Sequence, residues 1–326
     1  GASMKTEAGL GGAMICGLFA ALLWLLPGYG GAQSVQLLLV RGDSLLDADK
    51  PQRALVVRDE AVRKETSVRT LLSRARAYSA LKRNDRFVED IDKALRLDST
   101  AGEAHYQRGA YALRVNDSDR AEFHGTRAIL FARDARAKAR AHNLRGEARA
   151  ERKQFAAAIE DLAAAWAGGL EEVTAMRTLA QLYDVEGRHE EALRVLERLC
   201  EMDPSDLGNW TNRAHELNML GRFEDALPIT ERALGYDADE PVALSHKAYA
   251  LAKLERDDEA WTTVERSLRN YPSNPYALRT RAILRLRRGD RAKACDDLSL
   301  ARALADIPEV DRLAQEHCAS QGTRKR

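Results

Sequence analysis

The sequence is poor in the residues that build compact β-structure or staple small domains together. Its 326 residues include only 8 prolines and 4 cysteines, and 6% are aromatic. So few cysteines exclude a dense disulfide framework. The scarcity of proline and aromatic residues, in a chain rich in alanine, leucine and arginine, favours helices over strands. The composition therefore predicts an all-α protein.

An excess of charge of either sign is also missing. The chain has 51 lysines and arginines against 50 aspartates and glutamates, for a formal net charge of +1. This balance excludes the basic footprint of a nucleic-acid-binding protein, so we expect no nucleic-acid partner. Many charges of mixed sign predict solvated helix faces that carry pairs four residues apart.

Motifs that carry chemistry are absent as well. The sequence has no nucleophile elbow, no phosphate-cradling glycine loop following a strand and no closely spaced histidine pair of the zinc-protease type. The seven histidines are scattered. We therefore expect no enzyme activity, no catalytic residue, no cofactor and no metal site.

The first 32 residues have the pattern of a targeting segment. Gly1, Ala2 and Ser3 are interpreted as a cloning remnant ahead of Met4. A positive start, an apolar stretch over 13–26, a Pro-Gly break and a small residue at Ala32 predict a signal peptide over 4–32. An uncleaved membrane anchor is the alternative, because the apolar run approaches the roughly 17 residues that a spanning helix needs.

Behind this leader one pattern returns almost to the C-terminus. Successive repeats begin 33, 34, 37, 34, 34, 34 and 34 residues apart. A fixed interval of this length is typical of a solenoid in which each repeat is one helix pair. The eight predicted starts are Val35, Val68, Gly102, Ala139, Val173, Leu207, Pro241 and Pro275.

Three columns of small residues support this register. The eighth place of a repeat is always glycine or alanine, and the twentieth and twenty-seventh places are alanine with few exceptions. Antiparallel helices approach closely only where their side chains are small, so the columns predict helix crossings. Phe87 departs from the twentieth column, and Arg58 and Gly125 take places that are otherwise apolar.

The segment 179–193, which reads LAQLYDVEGRHEEAL, resembles the signature of the tetratricopeptide repeat family. The resemblance runs roughly from Val35 to Pro308. It implies a right-handed superhelical α-solenoid of eight repeats over 33–307, whose first helices line a concave groove. A capping helix is then expected over 308–319, followed by a disordered basic tail over 320–326.

Groove positions follow from the helical period once the first helices are taken to line the groove. In the last three repeats these positions carry cations, amides, hydroxyls and no acidic residue. That favours an acidic or C-terminal peptide segment as ligand, with an ordinary polar face as the alternative. The predicted partner-binding residues are Arg140, Arg177, Asn212, His215, Asn218, Tyr249, Lys253, Tyr276 and Arg279.

One known use of such repeats is a two-carboxylate clamp built from Lys, Asn and Arg. Arg177, Gln181 and Asn212 are suitably placed for it, but Val242 and His246 stand where the resemblance requires cations. We therefore do not predict binding of a chaperone tail.

The cysteines behind the leader and several histidines are expected to have structural roles. Cys200, Cys295 and Cys318 are expected to be buried as small apolar residues, with a bridge between Cys295 and Cys318 as a second possibility in an oxidising compartment. His105 is expected to be a hydrogen-bonded core histidine, and His215 and His246 to approach each other from successive first helices.

Together these patterns predict a non-enzymatic scaffold or adaptor of the bacterial cell envelope, which binds a partner peptide or protein in its groove. A glycan-binding or export module of an envelope assembly is the alternative. We expect a periplasmic or secreted protein, or one anchored by its leader and facing the periplasm. The oligomeric state is left open.

Overall fold

The computed structural model describes residues 30–318, and every regular element in that range is an α-helix. The prediction of an all-α fold is confirmed. The predicted leader up to residue 29 and the tail from residue 319 lie outside the described residues. Among the helices of the described range, none combines the length and apolarity required to cross a membrane.

The chain forms two compact units that divide after Leu144. The helices of the first unit are α1 (Gly30–Asp47), α2 (Pro51–Lys64), α3 (Val68–Ala80), α4 (Asn84–Leu97), α5 (Gly102–Arg114) and α6 (Ser118–Leu130), and α7 (Ala135–Glu151) runs across the division. The second unit continues with α8 (Phe155–Ala167), α9 (Val173–Val185), α10 (His189–Met202), α11 (Leu207–Met219), α12 (Phe223–Leu234), α13 (Pro241–Lys253), α14 (Asp257–Asn270), α15 (Pro275–Arg287), α16 (Arg291–Leu304) and α17 (Pro308–Cys318).

Six of the eight predicted repeat starts coincide with the first residue of a helix. Side-chain caps fix several of these starts: Asp206, Glu240 and Asn274 each accept a backbone N–H of the helix that follows. The helices of the first and fourth repeats begin earlier than predicted, at Gly30 and Ala135. In the fourth repeat Asp134 accepts the N–H of Ala137 at 2.7 Å, so the helix starts at this cap, before the predicted start at Ala139.

The columns of small residues lie at the helix crossings. Every residue of the eighth, twentieth and twenty-seventh columns is buried. Two of the glycines leave no room for a side chain, because a Cβ on Gly109 would lie 2.8 Å from Leu144 and one on Gly146 would lie 2.8 Å from Leu162. The period in the sequence therefore records where one helix packs against the next.

The residues that depart from the columns are accommodated locally. Phe87 is buried and packs on Tyr111, with 5.7 Å between the ring centroids. Arg58 is fully buried, donates to the carbonyl of Ser73 at 2.7 Å and pairs with Asp43. A Cβ on Gly42 would meet the Arg58 side chain at 2.6 Å, so the small eighth place makes room for the arginine.

Many charged residues join different helices, which the sequence analysis did not predict. In a recurring arrangement an arginine on a first helix pairs with a carboxylate 16 residues away on a neighbouring second helix. The carboxylates of Asp90, Asp161 and Asp297 in these pairs are at most 5% exposed. The prediction of solvated faces with pairs four residues apart is therefore wrong for these residues, since the charges lie inside the helix packing.

Helix α17 occupies the segment where a capping helix was predicted. Val310, Leu313 and Ala314 bury their side chains in the apolar cluster of the last repeats. Cys318, at the end of the helix, forms a disulfide with Cys295 on α16, with 5.6 Å between the Cα atoms. Cys200 is a buried free thiol, and burial raises its pKa to about 11.

Candidate functional site

Most of the predicted groove residues lie on the first helices of the second unit, α9, α11, α13 and α15. The structure brings them into three adjoining groups, which we call the polar cleft, the histidine–carboxylate cluster and the carboxylate pocket. Each group contains side chains from at least two repeats. The site therefore exists only when successive repeats stack.

The carboxylate pocket consists of Tyr249, Lys253 and Arg279 around the carboxylate of Glu309. The Tyr249 hydroxyl donates to Glu309 at 2.8 Å and the Lys253 ammonium at 2.6 Å. The Arg279 guanidinium lies 3.5 Å from the same carboxylate and stacks 3.8 Å above the Tyr249 ring. These three donors come from two repeats and converge on one carboxylate.

Glu309 corrects the prediction that this part of the groove holds no acidic residue. The acid comes from α17, outside the eight repeats, and reaches back to α13. Burial by itself raises the pKa of Glu309, but the hydrogen bond from Lys253 and the charge of Arg279 outweigh it and lower the pKa below the ordinary value. Burial also raises the pKa of Tyr249, so its hydroxyl stays protonated and donates.

The polar cleft lies between α9 and α11 and has a volume of about 630 Å³. Arg177, Gln181, Asn209 and Asn212 contribute to its wall. The Arg177 guanidinium is half exposed and pairs with Asp206. Asn212 is exposed and open to a ligand.

The histidine–carboxylate cluster consists of Asp184, His189, His215 and Glu216. His189 Nδ1 lies 2.8 Å from a Glu216 oxygen and 3.6 Å from an Asp184 oxygen. His215 Nε2 lies 3.4 Å from the same Asp184 oxygen. Burial, and then the charge of Asp184, raise the pKa of Glu216 to about 8, whereas the hydrogen bond from His215 lowers the pKa of Asp184.

Aromatic rings connect this cluster with the carboxylate pocket. The His215 ring lies 5.3 Å from His246 and 5.8 Å from Tyr276, centroid to centroid. The predicted approach of His215 and His246 is confirmed. Arg279 lies over the Tyr276 ring at 5.6 Å and so continues the contact to Tyr249.

Three of the predicted site residues are buried, namely Asn218, Tyr249 and Arg279, and Asn218 differs from the other two in its hydrogen-bond partner. Asn218 is only 5% exposed, and its amide donates to the backbone carbonyl of His246 at 3.0 Å. Asn218 therefore joins α11 to α13 and does not belong to a binding surface. The prediction that it faces a ligand is wrong because its side chain points into the contact between two repeats.

Arg140 lies in the first unit, in a groove of about 710 Å³. Its guanidinium lies 4.0 Å above the Tyr106 ring and 3.4 Å from Glu103. In the same unit, His105 is hydrogen-bonded to Ser99 and to His124, each at 3.0 Å, as expected of a core histidine. Arg140 therefore belongs to a groove of the first unit.

Sequence reasoning missed Glu309, His189 and Glu216, whereas Asp184 falls at a groove position of the fifth repeat. Glu309 belongs to α17, which the groove positions did not include. His189 begins a second helix and Glu216 falls at the tenth place of its repeat, so neither occupies a position expected to face the groove. A search for histidines at the start of the helix that follows a groove carboxylate such as Asp184 would have found His189.

Comparison with known proteins agrees with this architecture. Tetratricopeptide repeat models match residues 68–100, 173–215 and 212–275. The crystal structure of YrrB, a TPR protein, is 19% identical, with a TM-score of 0.52 over 58% of this chain and 95% of its own. None of the curated proteins matches the chain.

Two further structures resemble the chain more distantly. A tetratricopeptide repeat protein from Parabacteroides merdae is 15% identical, with a TM-score of 0.45 over 88% of this chain and 99% of its own. The TPR domain of P58(IPK) is 20% identical, with a TM-score of 0.31 over 89% of this chain and 99% of its own. Scores at this level add nothing to the assignment of the fold.

The fold and the matched segments define a helical-repeat protein of the kind that generally serves as a protein-interaction scaffold. More particularly, its segments 68–100, 173–215 and 212–275 are similar to the tetratricopeptide repeat.

Proposed function

We propose that the chain is a non-enzymatic scaffold that binds an extended acidic peptide segment along α9, α11, α13 and α15. One observation carries the proposal: Tyr249 and Lys253 donate hydrogen bonds to the Glu309 carboxylate, and Arg279 forms an ion pair with it. Charge-assisted hydrogen bonds of this kind select a carboxylate over a neutral group. Glu309 then acts as an internal ligand that an acidic side chain of the partner replaces.

The polar cleft extends this surface toward the start of the second unit. Gln181 and Asn212 offer amide groups that can bind the backbone of an extended peptide, and Arg177 offers a second cation. YrrB, which shares the fold, is described as having an unusual peptide-binding site. Peptide binding is thus a use to which a protein of this fold is put.

Glycan binding receives less support from the same geometry. Tyr249 is 8% exposed, and its ring is covered by Arg279. The indole of Trp210 donates to the carbonyl of Pro204, away from the residues of the carboxylate pocket. The Tyr249 ring therefore offers no open platform on which a sugar stacks, and Trp210 lies outside the carboxylate pocket.

We place this function in the bacterial envelope. The leader-like segment over 4–32 supports this location, and so does the disulfide between Cys295 and Cys318, since such bonds persist in oxidising compartments.

A display library of short random peptides, selected on the purified full chain, tests the proposal. Selected peptides should share an aspartate or glutamate at a fixed position. Their affinity should rise about tenfold in Glu309→Gln, because the internal competitor is weakened. It should fall at least tenfold in Arg279→Gln.

Glu316→Gln is the matched control, since Glu316 is an exposed carboxylate on the same helix. This variant should bind the selected peptides as the unmodified chain does. Selection of peptides without a shared acidic position, or equal affinities for Glu309→Gln and Glu316→Gln, would contradict the proposal.

A further inference from the structure

We propose that Asp184, His189 and Glu216 bind a divalent transition-metal ion, with His215 as a fourth ligand and Zn²⁺ as the ion that fits best. One ligand atom from each of the first three residues lies within 4.8 Å of the other two. They come from the end of α9, the start of α10 and the middle of α11. The packing of successive helices therefore brings together ligands that do not form a short motif in the sequence.

Two carboxylates and two imidazoles meet in this cluster. The Glu216 and Asp184 carboxylates both face the Nδ1 atom of His189, at 2.8 and 3.6 Å. One ring nitrogen donates at most one proton. Because the Glu216 side chain is only 3% exposed, water gives its carboxylate little compensation. A divalent cation between the three groups would satisfy them at once.

The mixture of imidazole and carboxylate identifies the class of ion. Calcium and magnesium prefer sites made only of oxygen ligands, whereas zinc accepts histidine nitrogen and carboxylate oxygen together. Zinc bonds of about 2.0–2.2 Å in a tetrahedron separate neighbouring ligand atoms by roughly 3.3–3.6 Å. The separations of 3.6 Å between His189 and Asp184, and 3.4 Å between His215 and Asp184, match this spacing. The 2.8 Å between His189 and Glu216 has to lengthen by about 0.5 Å when the ion binds.

An ion can reach the cluster from the groove. Asp184, His215 and Glu216 contribute to the wall of the polar cleft. The Asp184 side chain is 37% exposed, while Glu216 lies beneath it. The site is therefore built into the wall of the peptide-binding surface and does not depend on the carboxylate pocket around Glu309.

The test is calorimetric titration of the chelator-treated full chain with zinc chloride, without any peptide. We expect one equivalent of Zn²⁺ to bind, and magnesium chloride to give no matching signal. Glu216→Gln and His189→Gln should each weaken zinc binding at least tenfold, because each removes a ligand. Co²⁺ should give the visible absorption of a site with few, mixed nitrogen and oxygen ligands, and this band should be lost in His189→Gln.

Glu190→Gln is the matched control, because Glu190 adjoins His189 and is exposed. Its zinc affinity should be unchanged. Asp184→Asn changes a partly exposed side chain, so this variant should keep its fold while it loses a zinc ligand. Circular dichroism measures its helicity and so separates loss of binding from loss of folding. Absence of stoichiometric zinc binding, or equal affinity in all of these variants, would overturn the proposal.

Discussion

Arg58 shows how a single residue can depart from the repeat pattern without disrupting it. A buried guanidinium is costly unless its hydrogen bonds are made. Arg58 is fully buried and meets that requirement in part through Ser73 and Asp43. Burial lowers the pKa of its guanidinium below the ordinary value, an effect that the charge of Asp43 opposes. Gly42 supplies the space that the side chain needs.

Replacing Arg58 by alanine should destabilise the helices around it by about 3 kcal/mol, since it leaves a cavity and removes the hydrogen bond to Ser73. Arg58→Leu should cost less, because an apolar side chain fills the space without a buried charge. Hydrogen exchange of the α2 amides measures both changes. Arg63→Ala, an exposed arginine on the same helix, should stay within about 0.5 kcal/mol; a comparable loss there would contradict this account.

His124 links stability to pH at the scale of one residue. Burial, and then the neighbouring His105 and Arg108, lower its pKa from 6.5 to about 4. The folded state therefore binds the proton more weakly than the unfolded state does. The stability contribution is complete above pH 6.5 and is lost as the pH falls toward 4.

We expect α5 and α6 to lose about 1–2 kcal/mol between pH 7.5 and 5, with allowance for the partial exposure of the ring. Protection factors from hydrogen exchange, which remove the intrinsic effect of pH on exchange, provide the measurement. In His124→Gln this loss should be absent. A pH dependence that persists unchanged in the variant would assign the effect to other groups.

At the scale of helices, the paired charges act as part of the packing. Arg281 donates to both oxygens of Asp297 at 3.0 and 2.8 Å, and Arg285 reaches the same carboxylate at 2.7 Å. The Asp297 side chain is 5% exposed. The carboxylate thus joins the first and second helices of the last repeat.

Asp297→Ala should destabilise α15 and α16 by about 3 kcal/mol, because two arginines lose their buried partner. Asp296→Ala changes the adjacent exposed aspartate and should cost less than about 0.5 kcal/mol. Urea denaturation followed by circular dichroism, with exchange of the α16 amides, compares the two variants. Equal losses would mean that the pairing contributes nothing beyond a surface charge.

Most of the helices could be predicted from the sequence, whereas much of the site could not. The helix starts follow from the repeat interval and from capping residues next to each helix, and both can be read from the sequence without knowing which distant residues are in contact. Contacts such as that between Glu309 and Tyr249 join residues 60 positions apart. No periodicity within a repeat specifies them, because α17 is not a repeat. The cluster at Glu216 was missed for a related reason, since its ligands fall at different places of two repeats.

Within each of the two units taken separately, the main helix packing joins helices that are one or two places apart in the chain. Stability in such an array is approximately a sum of terms for each repeat and its neighbours. Ion pairs and small-residue crossings therefore act locally. The contact from α17 back to α13 is a departure from this rule, and it lies in the second unit.

Two matched core substitutions test this locality at the scale of the whole molecule. Ile91 in the first unit and Val264 in the second are both fully buried. Ile91→Ala should lower the protection of the α3–α5 amides by about 3 kcal/mol and leave α13–α16 unchanged, and Val264→Ala should do the reverse with a loss of about 2 kcal/mol. Hydrogen exchange resolved by segment measures the protection of all these helices in each variant. If either substitution lowered protection equally across both units, the chain would unfold as one cooperative body, and the sum over neighbouring repeats would fail as a description of its stability.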